Sequence, residues 1–331
     1  MTIKKFSLLS LLALFTTVSC EKNETEPVTD PTQFQATDFA SGLVNPVGMS
    51  ADDKGQLWVA ETGMGNNDAR VSLIGTNGTV YPVITGLNSL FANGAIEGMG
   101  HVLYQDGQLY ILNGNAGRLY IADVSSFKPG DPMLTLSSLP SEDIGTYVRS
   151  LNLTNPVNSN AYNLTFGPNG DLYIVDAGSN AIIKRDKTSK ALSLFAKIPN
   201  VTPTAESVPT GIVFDGTNFL ISSLSGGPFI TGTAKIFQVD QAGNVSDYKT
   251  GFTTATDIVL TPNNKPLITE FAQFSLTTNP PGFVPATGRI ANADGTTLLS
   301  GLNMPTDIER SGDKTYYVLN YATGTVQKLT Y

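Results

Sequence analysis

The chain reads as an all-β protein: a six-bladed β-propeller of four-stranded blades. Three observations predict this. A strand–turn–strand unit recurs six times at near-constant spacing. Turn formers are abundant, with 32 Gly and 19 Pro among 331 residues. Long helical periodicities are scarce. A strand-rich repeat of this length marks a propeller, in which each repeat supplies one blade.

The best-formed unit covers residues 160–184. Its three β runs are 162–166, 171–175 and 181–184. Gly167-Pro168-Asn169-Gly170 joins the first two. An Asn-Gly pair there takes the positive φ angles of a tight hairpin. The second strand is the marker for counting copies: Gln56-Leu-Trp-Val-Ala-Glu61, Gln108-Leu-Tyr-Ile-Leu-Asn113, Asp171-Leu-Tyr-Ile-Val-Asp176, Asn218-Phe-Leu-Ile-Ser-Ser223, Lys265-Pro-Leu-Ile-Thr-Glu270 and Lys314-Thr-Tyr-Tyr-Val-Leu319. Their third residues, at 58, 110, 173, 220, 267 and 316, are 52, 63, 47, 47 and 49 apart. Each copy follows a first-strand pattern such as Pro209-Thr-Gly-Ile-Val or Pro305-Thr-Asp-Ile-Glu.

Third and fourth strands complete the units, as in 234–240 and 245–251. The sixth unit stops after its third strand, 325–331. Its missing fourth strand is at the other end of the chain. Residues 33–43 resemble the other fourth strands and end in Ser41-Gly-Leu43, as 300–302 do. The N-terminal strand therefore closes the ring and removes two exposed sheet edges. Residues 33–331 form one domain on this reading. The spacing of 63 requires an insertion within 123–160. There Ser141 is placed to cap a short helix, with Ile144, Tyr147, Val148 and Leu151 as its apolar stripe. Such a helix covers a blade junction or forms a lid.

The N-terminus has a different character. Lys4 and Lys5 precede an apolar run over 6–15, and Thr17-Val18-Ser19 leads into Cys20. That is a bacterial secretory signal ending in a lipobox-like site. It implies cleavage after residue 19 and lipidation of Cys20. The apolar run is too short to span a bilayer. Residues 20–32 read as a flexible, polar and acidic tether. The expected location is the cell envelope, periplasmic or at the cell surface, with the membrane as a partner through Cys20. Acyl chains must do the anchoring, because an acidic tether is not drawn to anionic head groups.

Formal net charge is −8 with pI near 4.7. Cleavage of the signal makes it two units more negative. Such a chain has no electrostatic ground for binding nucleic acid. One cysteine excludes an internal disulfide and a cysteine-based metal site. One histidine, His101, excludes a multi-histidine zinc site.

With these features in view, the chain resembles the ScyD/ScyE family of secreted six-bladed propellers, whose repeats are similar to NHL repeats. The residues that carry the resemblance are Val208-Pro-Thr-Gly-Ile-Val-Phe-Asp, Ser225-Gly-Gly-Pro-Phe, Ala234-Lys-Ile-Phe-Gln-Val, Tyr248-Lys-Thr-Gly-Phe, Asp257-Ile-Val-Leu and Trp58-Val-Ala-Glu-Thr-Gly-Met-Gly65. It covers about residues 33–331. It brings no established reaction and no catalytic residues.

First strands line a propeller's axis. Equivalent positions on the sequence pattern are Gly48, Gly100, Asn163, Gly211, Asp257 and Asp307, with three glycines leaving room. Glu97 lies just upstream in the second unit, and His101 just beyond Gly100. Glu97, His101, Asn163, Asp257 and Asp307 are the candidate metal or ligand residues. Oxygen ligands from separate blades could hold one divalent cation such as calcium. The leading expectation is a binding or scaffold module for a small molecule, glycan or protein. Its motivation includes Phe229, Phe271, Phe274 and Phe283 in long loops. The alternative is a metal-dependent hydrolase or lactonase resembling gluconolactonase-like propellers. The positions just before the first-strand glycine, Val47, Met99, Tyr162, Thr210, Thr256 and Thr306, carry no carboxylate. That counts against a lactonase of that kind.

Overall fold

The computed structural model describes residues 28–331 other than Asn93. The signal segment, Cys20 and the first part of the tether lie outside the described residues. Six four-stranded antiparallel sheets form the blades. Blade 1 comprises Pro46–Ala51, Leu57–Glu61, Ala69–Ile74 and Val80–Leu87, from the axis outwards. The inner strands of blades 2 to 6 are Met99–Gln105, Ala161–Phe166, Pro209–Phe214, Ala255–Leu260 and Pro305–Arg310. Inner strands of adjacent blades touch all the way round the ring.

Closure is as the sequence predicts. Gln35–Ser41 pairs antiparallel with Thr325–Thr330 as the outer strand of blade 6. The hairpin in blade 3 also follows its turn chemistry, with Asn169 at φ 62° and Gly170 at φ 75°. Pairing of Ile308 with Val318 matches that of Met49 with Val59, so Tyr317, not Tyr316, is the sixth counterpart of Trp58.

The core lies between blades. Trp58, Val71 and Val83 of blade 1 pack with Val102, Ile111 and Phe127 of blade 2. Between blades 3 and 4, Phe219 has Tyr173 at 4.3 Å and Phe214 at 4.8 Å between ring centroids. Such aromatic pairs add about 0.5–1.5 kcal/mol each beyond their buried area. Interlocking of this kind holds each sheet's two apolar faces against its neighbours.

Residues 141–151 differ from expectation. Ser141–Asp143 is the short outer strand of blade 2, and the helix is Gly145–Ser150. Ser141 therefore caps nothing. Asp143 takes the capping bond instead, accepting from the Thr146 N–H at 2.9 Å. The strand wins over the helix here because it pairs with Arg118–Tyr120 and aims Glu142 at Arg185 of blade 3. The apolar stripe is as predicted: Ile144 and Val148 are buried against Leu112, Leu164 and Leu172 at the junction of blades 2 and 3.

The chain's direction gives the disc two distinct faces. Turns joining first to second and third to fourth strands lie on one, the turn face. Turns joining second to third strands, and the connections between blades, lie on the other, the mouth face. Two extra hairpins, 90–97 and 274–283, both stand on the mouth face.

Candidate functional site

The axis is closed by polar side chains. Pairing of Met99 with Asn113 and of Val102 with Ile111 reproduces that of Pro46 with Glu61 and of Met49 with Val59. This places His101, not Gly100, level with Gly48. The inward ring is thus Gly48, His101, Asn163, Gly211, Asp257 and Asp307. Sequence counting missed this by one residue, because a bulge in each inner strand shifts the register and Gly98-Met99-Gly100 offers two glycines to align.

The two glycines of that ring do not leave space. A Cβ on Gly48 would lie 2.5 Å from His101 Cγ, and one on Gly211 would lie 2.8 Å from Asp257 Cα. Each lets its two neighbours meet across it. His101 of blade 2 reaches over blade 1, its Nδ1 3.3 Å from Asp307 Oδ2 of blade 6. Asn163 of blade 3 reaches over blade 4, its Nδ2 donating to Asp257 Oδ1 of blade 5 at 3.0 Å. All four side chains are buried.

Backbone donors take up the carboxylates. Asp307 Oδ2 accepts from the Met49 N–H at 2.6 Å, and Asp257 Oδ2 from the Ile308 N–H at 3.2 Å. One layer nearer the turn face, Glu309 accepts from Ala51 N–H at 2.8 Å, and Ser50 Oγ from Tyr104 N–H at 3.0 Å. In each case the side chain of one inner strand serves the backbone of the next blade. The three threonines Thr210, Thr256 and Thr306 do the converse. Their hydroxyls donate to the carbonyls of Ala255, Pro305 and Pro46, at 2.8, 3.0 and 3.2 Å.

Burial dominates the electrostatics. It pushes the Asp257 carboxyl up to about 7. It raises Asp307 well above the usual range, with the Asp257 and Glu309 charges adding to the effect. The two aspartates stand close enough on the axis for the Asp257 charge to act on Asp307, and both are pushed toward the protonated form. Burial also holds His101 neutral, its pKa pushed down to about 3. A neutral imidazole with Nδ1 toward Asp307 carries its proton there, which leaves Nε2 as an acceptor. That nitrogen has no partner among the described residues. The Tyr162 ring, 5.1 Å from the imidazole, lies between the axis and the mouth.

Glu97 is not part of this network. It lines a cleft of about 420 Å³ at the mouth, together with Leu90, Asn115, Asn158, Asn160 and Glu206. These residues come from the connections around blades 2, 3 and 4. Neither Glu97 nor Glu206 is in an ion pair among the described residues. Among those residues there is also no group of three or more His, Cys, Asp or Glu arranged to hold a metal ion. Four of the five expected site residues thus meet on the axis, and the fifth belongs to the cleft. Asn115, Asn158, Asn160 and Glu206 escaped the sequence reading, because they lie in irregular connections with no periodicity. The one available signal is the run Asn158-Ser-Asn160 directly before an inner strand.

The four phenylalanines are neither free on the surface nor sunk between blades. Phe229, Phe274 and Phe283 pack with centroids 5.0–5.3 Å apart, and Phe271 meets Phe283 at 5.0 Å. They form a half-buried cluster under the mouth-face loops of blades 4 and 5. Ile230 and Leu276 stand exposed beside it.

No family model matches this sequence, and no curated protein does. Solved structures do match in fold. A protein of unknown function from Bacteroides thetaiotaomicron is 12% identical with a TM-score of 0.60, covering 90% of this chain and 76% of that one. A candidate gluconolactonase is 12% identical with a TM-score of 0.56, covering 91% and 93%. A PQQ-bound aldose sugar dehydrogenase from Streptomyces coelicolor is 12% identical with a TM-score of 0.54, covering 91% and 99%. At such identities the likeness is one of fold: this chain is a six-bladed β-propeller with structural neighbours of several activities.

Proposed function

We propose that this chain is a lipid-tethered, extracytoplasmic binding propeller of the ScyD/ScyE type, with its ligand seated in the mouth cleft. One observation carries the reading. The axial carboxylates are taken up by backbone N–H groups, whereas Glu97 and Glu206 line the cleft outside any ion pair among the described residues. Two carboxylates among three asparagine amides suit a neutral or amine-bearing glycan. Amides donate to and accept from sugar hydroxyls, carboxylates accept from them, and a carboxylate pairs with an ammonium group.

The hydrolase alternative needs an ion held jointly by Glu97, Asn163, Asp257 and Asp307. Glu97 stands apart from the other three, so the geometry favours binding. Metal analysis of the purified protein, with Asp257→Ala as control, checks the calcium expectation separately. The binding reading is tested on an array of neutral and amino-sugar oligosaccharides, followed by calorimetry on the strongest binder. Glu97→Gln and Asn158→Ala should each weaken binding by about tenfold, the loss of one or two hydrogen bonds. Binding indifferent to both changes, or none at all, refutes the proposal.

A further inference from the structure

The described end of the tether is fixed to a definite place. Asn263 Nδ2 donates to the Val28 carbonyl at 2.9 Å and to Asp30 Oδ1 at 3.2 Å. The Tyr331 hydroxyl lies 2.8 Å from the Thr29 carbonyl. Phe34 N–H donates to the Leu298 carbonyl at 2.9 Å, and its ring packs on Tyr316 and Tyr331. Asn263 belongs to the turn between the first and second strands of blade 5. Residues 28–34 are therefore held at the turn face, where the strand Gln35–Ser41 begins. Glu97, Asn158 and Glu206 lie in connections between blades, at the opposite ends of the strands.

The surface chemistry of the two faces also differs. The mouth-face loops of blades 4, 5 and 6, at 224–233, 271–287 and 321–324, contain no Asp, Glu, Lys or Arg. They expose Ile230 and Leu276. By itself, an uncharged face with apolar tips would suit contact with a bilayer. The tether decides against that. Seven residues lie between Cys20 and Val28, so the eight Cα steps reach at most about 29 Å. An inner strand of six residues spans about 20 Å, and turns and hairpins add to the thickness of the disc. The tether must also clear the outer rim before the mouth could meet the membrane. Its contour does not suffice for both.

We infer that the mouth face is held pointing away from the anchoring membrane, so that the cleft takes a hydrophilic ligand arriving from solution or from an opposing surface, and not a lipid of its own leaflet. The inference rests on lipid anchoring at Cys20, which belongs to the proposed function. It makes the exposed apolar tips part of the ligand-facing rim.

The test uses the full lipidated protein in vesicles whose head groups carry an acceptor dye. Acylation occupies Cys20, so a single introduced thiol accepts the donor dye. Ile230→Cys reports the mouth face and Ala242→Cys the turn face; both sites are exposed. Energy transfer from position 242 should exceed that from position 230 by about twofold or more, given a separation near one strand length. Equal transfer, or higher transfer from 230, overturns the inference while leaving the anchor intact. Failure of the protein to associate with vesicles, with Cys20 unacylated by mass spectrometry, removes the anchor and the inference with it.

Discussion

Asp307→Asn separates the roles of the axial acids. In the native chain Asp307 Oδ2 accepts from Met49 N–H, and burial beside Asp257 and Glu309 favours the protonated form of its carboxyl. Asparagine keeps an oxygen for the Met49 N–H but cannot titrate. The sign follows from proton linkage. A carboxyl whose pKa is raised in the fold binds more protons folded than unfolded. It is harmless below the unfolded pKa near 4, and it lowers stability as pH climbs from there to the folded pKa. Each such group contributes a slope of about −1.4 kcal/mol per pH unit across its window. Asp257, raised to about 7, and Asp307, raised well above the usual carboxylate range, both act between pH 5 and 7. Urea unfolding over that range should show the wild type losing about 1.4 kcal/mol more per pH unit than Asp307→Asn. Carboxylates held low, such as Asp171 and Asp186, act in the opposite sense at lower pH and cancel in the comparison. Parallel pH profiles for the two proteins would refute the raised pKa of Asp307. Asp307→Ala should cost about 1–3 kcal/mol at pH 5, since it strands the buried Met49 N–H.

Three further outcomes are expected from thermal or urea unfolding. Gly48→Ala should destabilise by about 3 kcal/mol through collision with the His101 ring and backbone, whereas Gly42→Ala, at φ 86° in open space, should cost only about 1 kcal/mol. Thr306→Val keeps the shape but removes the bond to the Pro46 carbonyl across the ring closure, and should cost about 1 kcal/mol. Glu142→Ala leaves the buried Arg185 guanidinium without its bidentate partner and should cost about 1–3 kcal/mol, while Asp294→Ala, from the exposed pair with Lys249, should change nothing measurable.

Local chemistry made the blades legible. Asn169-Gly170 specifies its turn within four residues, and the recurring aliphatic second strand needs no distant information. Ring closure was legible too, because a third strand without a fourth leaves an edge that must be filled. The site was less so. Asp257, Asp307 and Asn163 stood out as polar residues in an apolar column, but their partners are backbone groups one blade away. The equivalence of His101 and Gly48 depends on a bulge that no residue type announces. A second column was in plain view and went unassigned. Glu61, Asp176, Glu270 and Asn320 end their second strands, buried, and accept from the N–H groups of Val44, Asn160, Thr253 and Asn303. Each secures the entry to its own blade. The cleft residues carry no such column, since the connections that supply them differ from blade to blade.

The polar axis has a physical reason that requires no ligand. An inner strand pairs on one edge only, so half of its N–H and C=O groups face the axis without a ladder partner. A buried N–H left unpaired costs about 1–3 kcal/mol. At Met49, Ala51, Tyr104 and Ile308 that need is met by Asp307, Glu309, Ser50 and Asp257, each from an adjacent inner strand. These bonds run from blade 5 to 6, from 6 to 1 and from 1 to 2, straddling the place where the two ends of the chain join. The closure thread Gln35–Ser41 secures the same junction at the rim. Carboxylates on the axis thus register the ring where it is open in sequence. Residue types alone do not tell an axial ligand set from side chains that serve the backbone of the next strand.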